Sequence, residues 1–110
     1  MIVSGGENVY PGEVEHLLDS HPAILEAAAI GVEDDDFGQR LRAFVVCQLG
    51  AALTAEQVRA HVKANLARYK VPRDVVIVAE LPRNPAGKVL KRELVSASTT
   101  RSAHPLEFSR

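Results

Sequence analysis

Apolar and polar positions follow two different periods along this chain. Val14, Leu17 and Leu18 recur three and four residues apart, which lines one face of a helix. Pro11 can open that helix, Glu13 and Glu15 favour its first turn, and Pro22 stops it near Ser20-His21. Residues 24–32 read as a strand, broken by the acidic turn Glu33-Asp34-Asp35-Asp36-Phe37-Gly38. Leu41, Ala43, Val45, Cys47 and Leu49 then alternate with Arg42, Phe44, Val46 and Gln48, so a second strand should run antiparallel to the first. Thr54 and Gln57 form a capping-box pattern ahead of Val58, His61, Val62, Asn65 and Leu66, which are spaced as a helix. Tyr69-Lys70-Val71-Pro72 ends it. Val75 to Val78 is a β-branched run that reads as a buried strand, and residues 91–95 as a short last helix. The expected fold is α+β: a small, mostly antiparallel sheet of about three strands packed with two to three helices. Residues 1–95 form the domain, and 96–110, rich in Ser and Thr without periodicity, are expected to be a disordered tail.

Composition narrows the class of function. With 110 residues, 46% hydrophobic and 25% charged, the chain is an ordinary globular domain. No apolar run is long enough to span a membrane, and no secretory leader is visible. The single cysteine, Cys47, excludes an internal disulfide, fits a reducing cytoplasmic setting and is expected to be a core thiol. His61 is expected to pack rather than to bind a metal, because no ligand set sits at metal spacing. With 5% aromatic residues and no Trp, stacking on nucleic acid is not expected.

The formal charge of −1 hides a division. Residues 1–58 carry ten acidic and two basic residues, a balance of −8; residues 59–92 carry nine basic and two acidic, a balance of +7. The second half is therefore suited to an anion, though mutual neutralisation of the halves or simple solvation accounts for the charge equally well.

Three segments could carry chemistry. Ser4-Gly5-Gly6 offers bare backbone close to a helix start, which suits a polar ligand or an extended thiol arm; it also suits an ordinary tight turn. Arg68, Lys70 and Arg73 put three cations within six residues, as phosphate contacts or as a solvated helix end. Lys88 follows Gly87 in the Pro-bounded loop 82–87, where an ammonium can reach an anion held elsewhere or simply face water. It is not a P-loop lysine, because Val89 follows it and the first glycine of that motif is missing. No Ser–His–Asp set is visible.

Taken together, Ser-Gly-Gly-Glu-Asn-Val-Tyr-Pro-Gly-Glu-Val-Glu (4–15), His21-Pro22-Ala23-Ile24, Gly38 with Ala43-Phe44-Val45-Val46, Tyr69-Lys70-Val71-Pro72 and Leu81-Pro82-Arg83-Asn84-Pro85-Ala86-Gly87-Lys88-Val89-Leu90-Lys91-Arg92-Glu93-Leu94 resemble the C-terminal domain of the adenylate-forming superfamily. That superfamily contains acyl-CoA synthetases, firefly-type luciferases and the adenylation domains of peptide synthetases. The resemblance implies a ligase that activates a carboxylic acid with ATP as an acyl-adenylate and passes it to coenzyme A, as in fatty acid metabolism. It also implies that this domain rotates between the two steps. Lys88 would be the catalytic lysine of adenylation. Ser4, Gly5 and Gly6 would line the pantetheine passage, and Arg68, Lys70 and Arg73 would meet the CoA nucleotide. ATP, with Mg2+, would be held by a large N-terminal domain that this chain lacks, so the chain alone is expected to be inactive. Lys70 after Tyr69, and Leu90 after Gly87-Lys88-Val89, resemble acyl-CoA synthetases more than peptide-synthetase domains. Loading of a carrier protein is the alternative, as is a separate regulatory subunit docking on an adenylating domain.

Overall fold

The computed structural model describes residues 1–94. The element order is β1 (Ile2–Ser4), β2 (Glu7–Val9), α1 (Pro11–Asp19), β3 (Ile24–Asp34), β4 (Gly38–Cys47), α2 (Ala55–Asn65), a 3-10 turn (Arg68–Lys70) and β5 (Asp74–Ile77). A final helical turn covers residues 91–94. The α+β class is as expected, but the sheet has five strands rather than about three. The two extra strands form the hairpin β1–β2, in which Ile2 pairs Val9 and Ser4 pairs Glu7. Gly5 and Gly6 make its two-residue turn with φ of 59° and 86°. Positive φ at both central positions matches the twist of the flanking strands, and glycine adopts it without a Cβ penalty.

β4 is the spine. It pairs antiparallel with β3 from Asp34–Gly38 to Ile24–Cys47, with a register shift between Ile24 and Glu26 that turns Leu25 outward. Its other edge is shared. β1 meets it antiparallel at Gly38, and β5 runs parallel to it over Arg42 to Val45. β5 has β4 on one side only, so the run expected to be buried is half-buried and Ile77 is exposed. Cys47, at the end of β4, is partly exposed rather than a core thiol.

Alternation along β3 and β4 divides the apolar residues between two faces. Ile24, Ala29, Leu41, Ala43 and Val45 pack with Val14 and Leu18 of α1 and with Val58 and Val62 of α2. Ala28, Ile30, Phe44 and Val46 pack instead with Leu81, Val89 and Leu94. The segment from Leu81 to Leu94 thus covers the face opposite the two long helices. The helix caps follow the sequence. Thr54 and Gln57 exchange both capping-box hydrogen bonds, and Pro11 opens α1. His61 is packed as expected, its ring edge-to-face with His21 at 4.7 Å. The expected tail 96–110, and the boundary before it, lie outside the described residues.

Candidate functional site

A groove of about 630 Å³ opens between the β1–β2 hairpin, α2 and the segment after it. Ser4 and Gly5 form one wall, Arg68, Tyr69 and Arg73 another, and Phe37 and Leu41 part of the floor. Two of the three segments singled out in the sequence, more than sixty residues apart, therefore share one cavity. The reason is topological. β1 and β5 both pair with the same edge of β4, which brings Ser4 and the residues just before Asp74 to neighbouring positions. Gly5 is held by its N–H, which donates to the Phe37 carbonyl at 2.9 Å, and Arg73 by its N–H, which donates to the Leu41 carbonyl at 3.1 Å.

The electrostatics are lopsided. Arg59, Lys63, Arg68 and Arg73 line the groove against one carboxylate, Glu7. Among the described residues, Lys63, Arg68 and Arg73 make no ion pair within 4.0 Å, and Arg59 only a loose one of 3.9 Å to the exposed Glu56. Cations gathered with few counter-charges at a concave, partly apolar surface favour an anionic ligand. Arg59 and Lys63 were not singled out in the sequence. Their signal was present: an i, i+4 pair of cations on the exposed side of an amphipathic helix whose buried side is Val58 and Val62.

Three expected site residues stand apart. Gly6 lies at the hairpin turn but not in the groove lining. Lys70 turns toward α1, where its ammonium meets Glu13 at 2.9 Å; that hydrogen bond pushes the ammonium above its usual range. Lys88 sits on the 83–89 hairpin, rooted on the opposite face of the sheet by Leu81 and Val89. This hairpin is well tied. The Asn84 side chain accepts the Lys88 N–H at 2.9 Å, the Asn84 N–H donates to the Lys88 carbonyl at 2.9 Å, and Arg83 donates to the Gly87 carbonyl at 2.6 Å. Its base is clamped at two points, Arg83 to Glu26 on the edge strand β3 and Lys91 to Glu15 of α1, the latter at 2.6 Å. The Lys88 side chain itself is exposed and in no ion pair among the described residues. Among the described residues, no group of three or more His, Cys, Asp or Glu side chains is placed to hold a metal ion, and no helix is long and apolar enough to cross a membrane.

Comparison with known proteins adds to this geometry. The profile of the AMP-binding enzyme C-terminal domain matches residues 13–88. A 2-succinylbenzoate–CoA ligase of Geobacillus kaustophilus is 51% identical over 94 residues, which is 86% of this chain and 19% of the relative. A sulfoacetate–CoA ligase of Cupriavidus necator is 44% identical over 96 residues, 87% of this chain and 19% of the relative. Among solved structures, a fatty acyl CoA synthetase of Mycobacterium tuberculosis superposes with a TM-score of 0.82 at 40% identity, covering 88% of this chain and 19% of that one. The chain thus spans about a fifth of the length of the curated relatives it matches.

Proposed function

The chain belongs to the AMP-binding enzyme C-terminal domain family, and on that premise we propose that it serves as the C-terminal domain of an ATP-dependent acid–thiol ligase. In the first step a substrate carboxylate oxygen attacks the α-phosphorus of ATP, and pyrophosphate leaves. In the second the CoA thiolate attacks the acyl carbon, and AMP leaves. Lys88 supplies the first step. An exposed ammonium on a clamped hairpin can be brought to the adenylate site, where it offsets charge building on the phosphate and carboxylate oxygens. The groove supplies the second. Arg68 and Arg73, joined by Arg59 and Lys63, meet the phosphates of CoA, while the Ser4-Gly5 wall lets the narrow pantetheine arm pass close to backbone. Gly6 shapes that turn, and Lys70 acts indirectly, by fixing the 3-10 turn to α1 through Glu13.

ATP itself belongs to a larger N-terminal domain, in line with relatives between four and five times this chain's length. Mg2+ would bind with ATP in that larger domain, and no step attributed to this domain runs through it. The relatives' names specify an aryl dicarboxylate, a sulfonated acetate and a fatty acyl group. Related C-terminal domains thus accompany dissimilar acids, which supports the reading that the larger domain selects the acid. A cytoplasmic setting, where ATP and CoA are both at hand and Cys47 stays reduced, suits this role.

The observation that carries the proposal is the cationic groove shared by the Ser4-Gly5 and Arg68–Arg73 segments. Calorimetric titration of the chain with CoA tests it. Saturable binding is expected that weakens as salt is raised, weakens again in Arg73→Ala and Arg68→Ala, and is unchanged in Lys88→Ala. Equal losses in all three variants would contradict the division of labour.

A further inference from the structure

Arg73 has an unusual support for a groove cation. Its guanidinium carbon lies 3.9 Å from the centroid of the Phe37 ring. Among the described residues, no carboxylate comes within 4.0 Å of it, and Asp34 feels its charge only at longer range, as the smallest of the influences on that carboxyl. By contrast Lys70, three residues earlier, is neutralised by Glu13, and Arg42, one strand away, by Asp74. A cation resting on an aromatic face is held in place by the ring quadrupole and keeps its full charge for another partner. A cation paired with a carboxylate does not.

Phe37 is itself fixed from three sides. Its N–H donates to the Asp34 side chain at 3.0 Å, its carbonyl accepts the Gly5 N–H at 2.9 Å, and the Cδ1 edge of its ring lies against Gly5. A Cβ built on Gly5 would come within 3.0 Å of Phe37 Cδ1, and Gly5 is at φ +59°. The bare glycine therefore does more than turn the hairpin. It leaves the room in which the ring lies, and the ring carries the arginine. Phe37 thus touches both Gly5 and Arg73, and the three residues come from three separate segments.

We infer that Phe37 is a positioning residue of the CoA groove: its ring, seated on Gly5, holds the Arg73 guanidinium open toward a ligand phosphate. This rests on the reading of the groove as the CoA phosphate site. The acidic turn that carries Phe37 reads in sequence as a mere connection between strands; the structure places its one aromatic residue under the cation of a segment thirty-six residues later.

The test is a double-mutant cycle read by calorimetric titration with CoA at low salt, with thermal unfolding recorded for each variant. Phe37→Leu keeps an apolar side chain but removes the π face, and should weaken CoA binding about three- to tenfold. In an Arg73→Ala background the same change should have no further effect. Phe37→Trp, which keeps the face, should bind CoA as the parent does. Phe37→Met gives a second route should Phe37→Leu fold poorly: it should weaken binding when Arg73 is present and not when it is absent. Additive losses from Phe37→Leu and Arg73→Ala, or equal losses from Phe37→Leu and Phe37→Trp, would show a merely structural ring and overturn the inference while leaving the groove intact. If the parent does not bind CoA, or Arg73→Ala binds it like the parent, the reading of the groove falls and this inference with it.

Discussion

A single carboxylate oxygen decides how β5 is seated. Asp74 Oδ2 accepts from Arg40 Nε at 2.8 Å and from Arg42 at 2.8 and 2.9 Å, at the point where β5 enters the sheet beside Arg42. Burial by itself would push this carboxyl up. The hydrogen bonds and charges of the two guanidinium groups outweigh burial and hold it below the usual carboxylate range. A carboxyl depressed in the folded state contributes stability that is present above its unfolded pKa and is lost as pH falls through the folded value. The loss therefore comes below about pH 4. Asp74→Asn should cost about 1–2 kcal/mol at neutral pH, less than a fully buried pair because the side chain keeps 29% of its surface exposed. It should also flatten the fall in stability between pH 5 and 2. Urea midpoints at pH 7 and pH 3 for the two proteins check both statements; an equal acid loss in both would move the effect elsewhere.

At the level of elements, the sequence was most legible where a period ran long enough to repeat. The alternation from Leu41 to Val46, the α1 stripe of Val14, Leu17 and Leu18, and the Thr54 capping box lie where expected, although β4 ends at Cys47 and leaves Leu49 exposed. The box gives a local prediction. Thr54→Ala should lower stability by about 1 kcal/mol, because it frees the Gln57 N–H at the start of α2, and Thr54→Ser should recover most of it. Thermal unfolding of the two variants is the measurement. The β1–β2 hairpin was not legible. Three residues per strand give alternation no room to show, and Gly5-Gly6 looks the same whether it turns a chain or admits a ligand; here it does the first and borders the groove. The groove was legible in pieces. Each cationic or glycine segment could be marked, but their meeting depends on two strands sharing one edge of β4, a long-range pairing that local pattern does not encode. Arg59 and Lys63 were hidden for a related reason: an exposed charged helix face is common, and only the neighbour opposite it gives it meaning.

Over the whole molecule, the sheet keeps two features apart. The groove lies on the side of the two long helices, while Lys88 is rooted in the layer formed by Leu81, Phe44 and Leu94 on the other face. Their losses should therefore separate. In the ligase proposed to carry this domain, Lys88→Ala should slow adenylation by about 10²–10³-fold, the scale for removing one preorganised charge-stabilising donor. It should barely change thioester formation from supplied acyl-adenylate. Rapid-quench assays of each half-reaction make the comparison, and equal slowing of both would remove Lys88 from its role. The Asn84–Lys88 ties and the two clamps at Glu26 and Glu15 bear on how that lysine arrives. A stalk cross-braced in this way cannot lean far, and beyond it the ammonium commands only the sweep of its own four methylenes. On the role proposed for Lys88, closing the rest of the distance would fall to the body behind it, and the charge would then be delivered by a swing of the entire domain, timed by whatever lets that body turn.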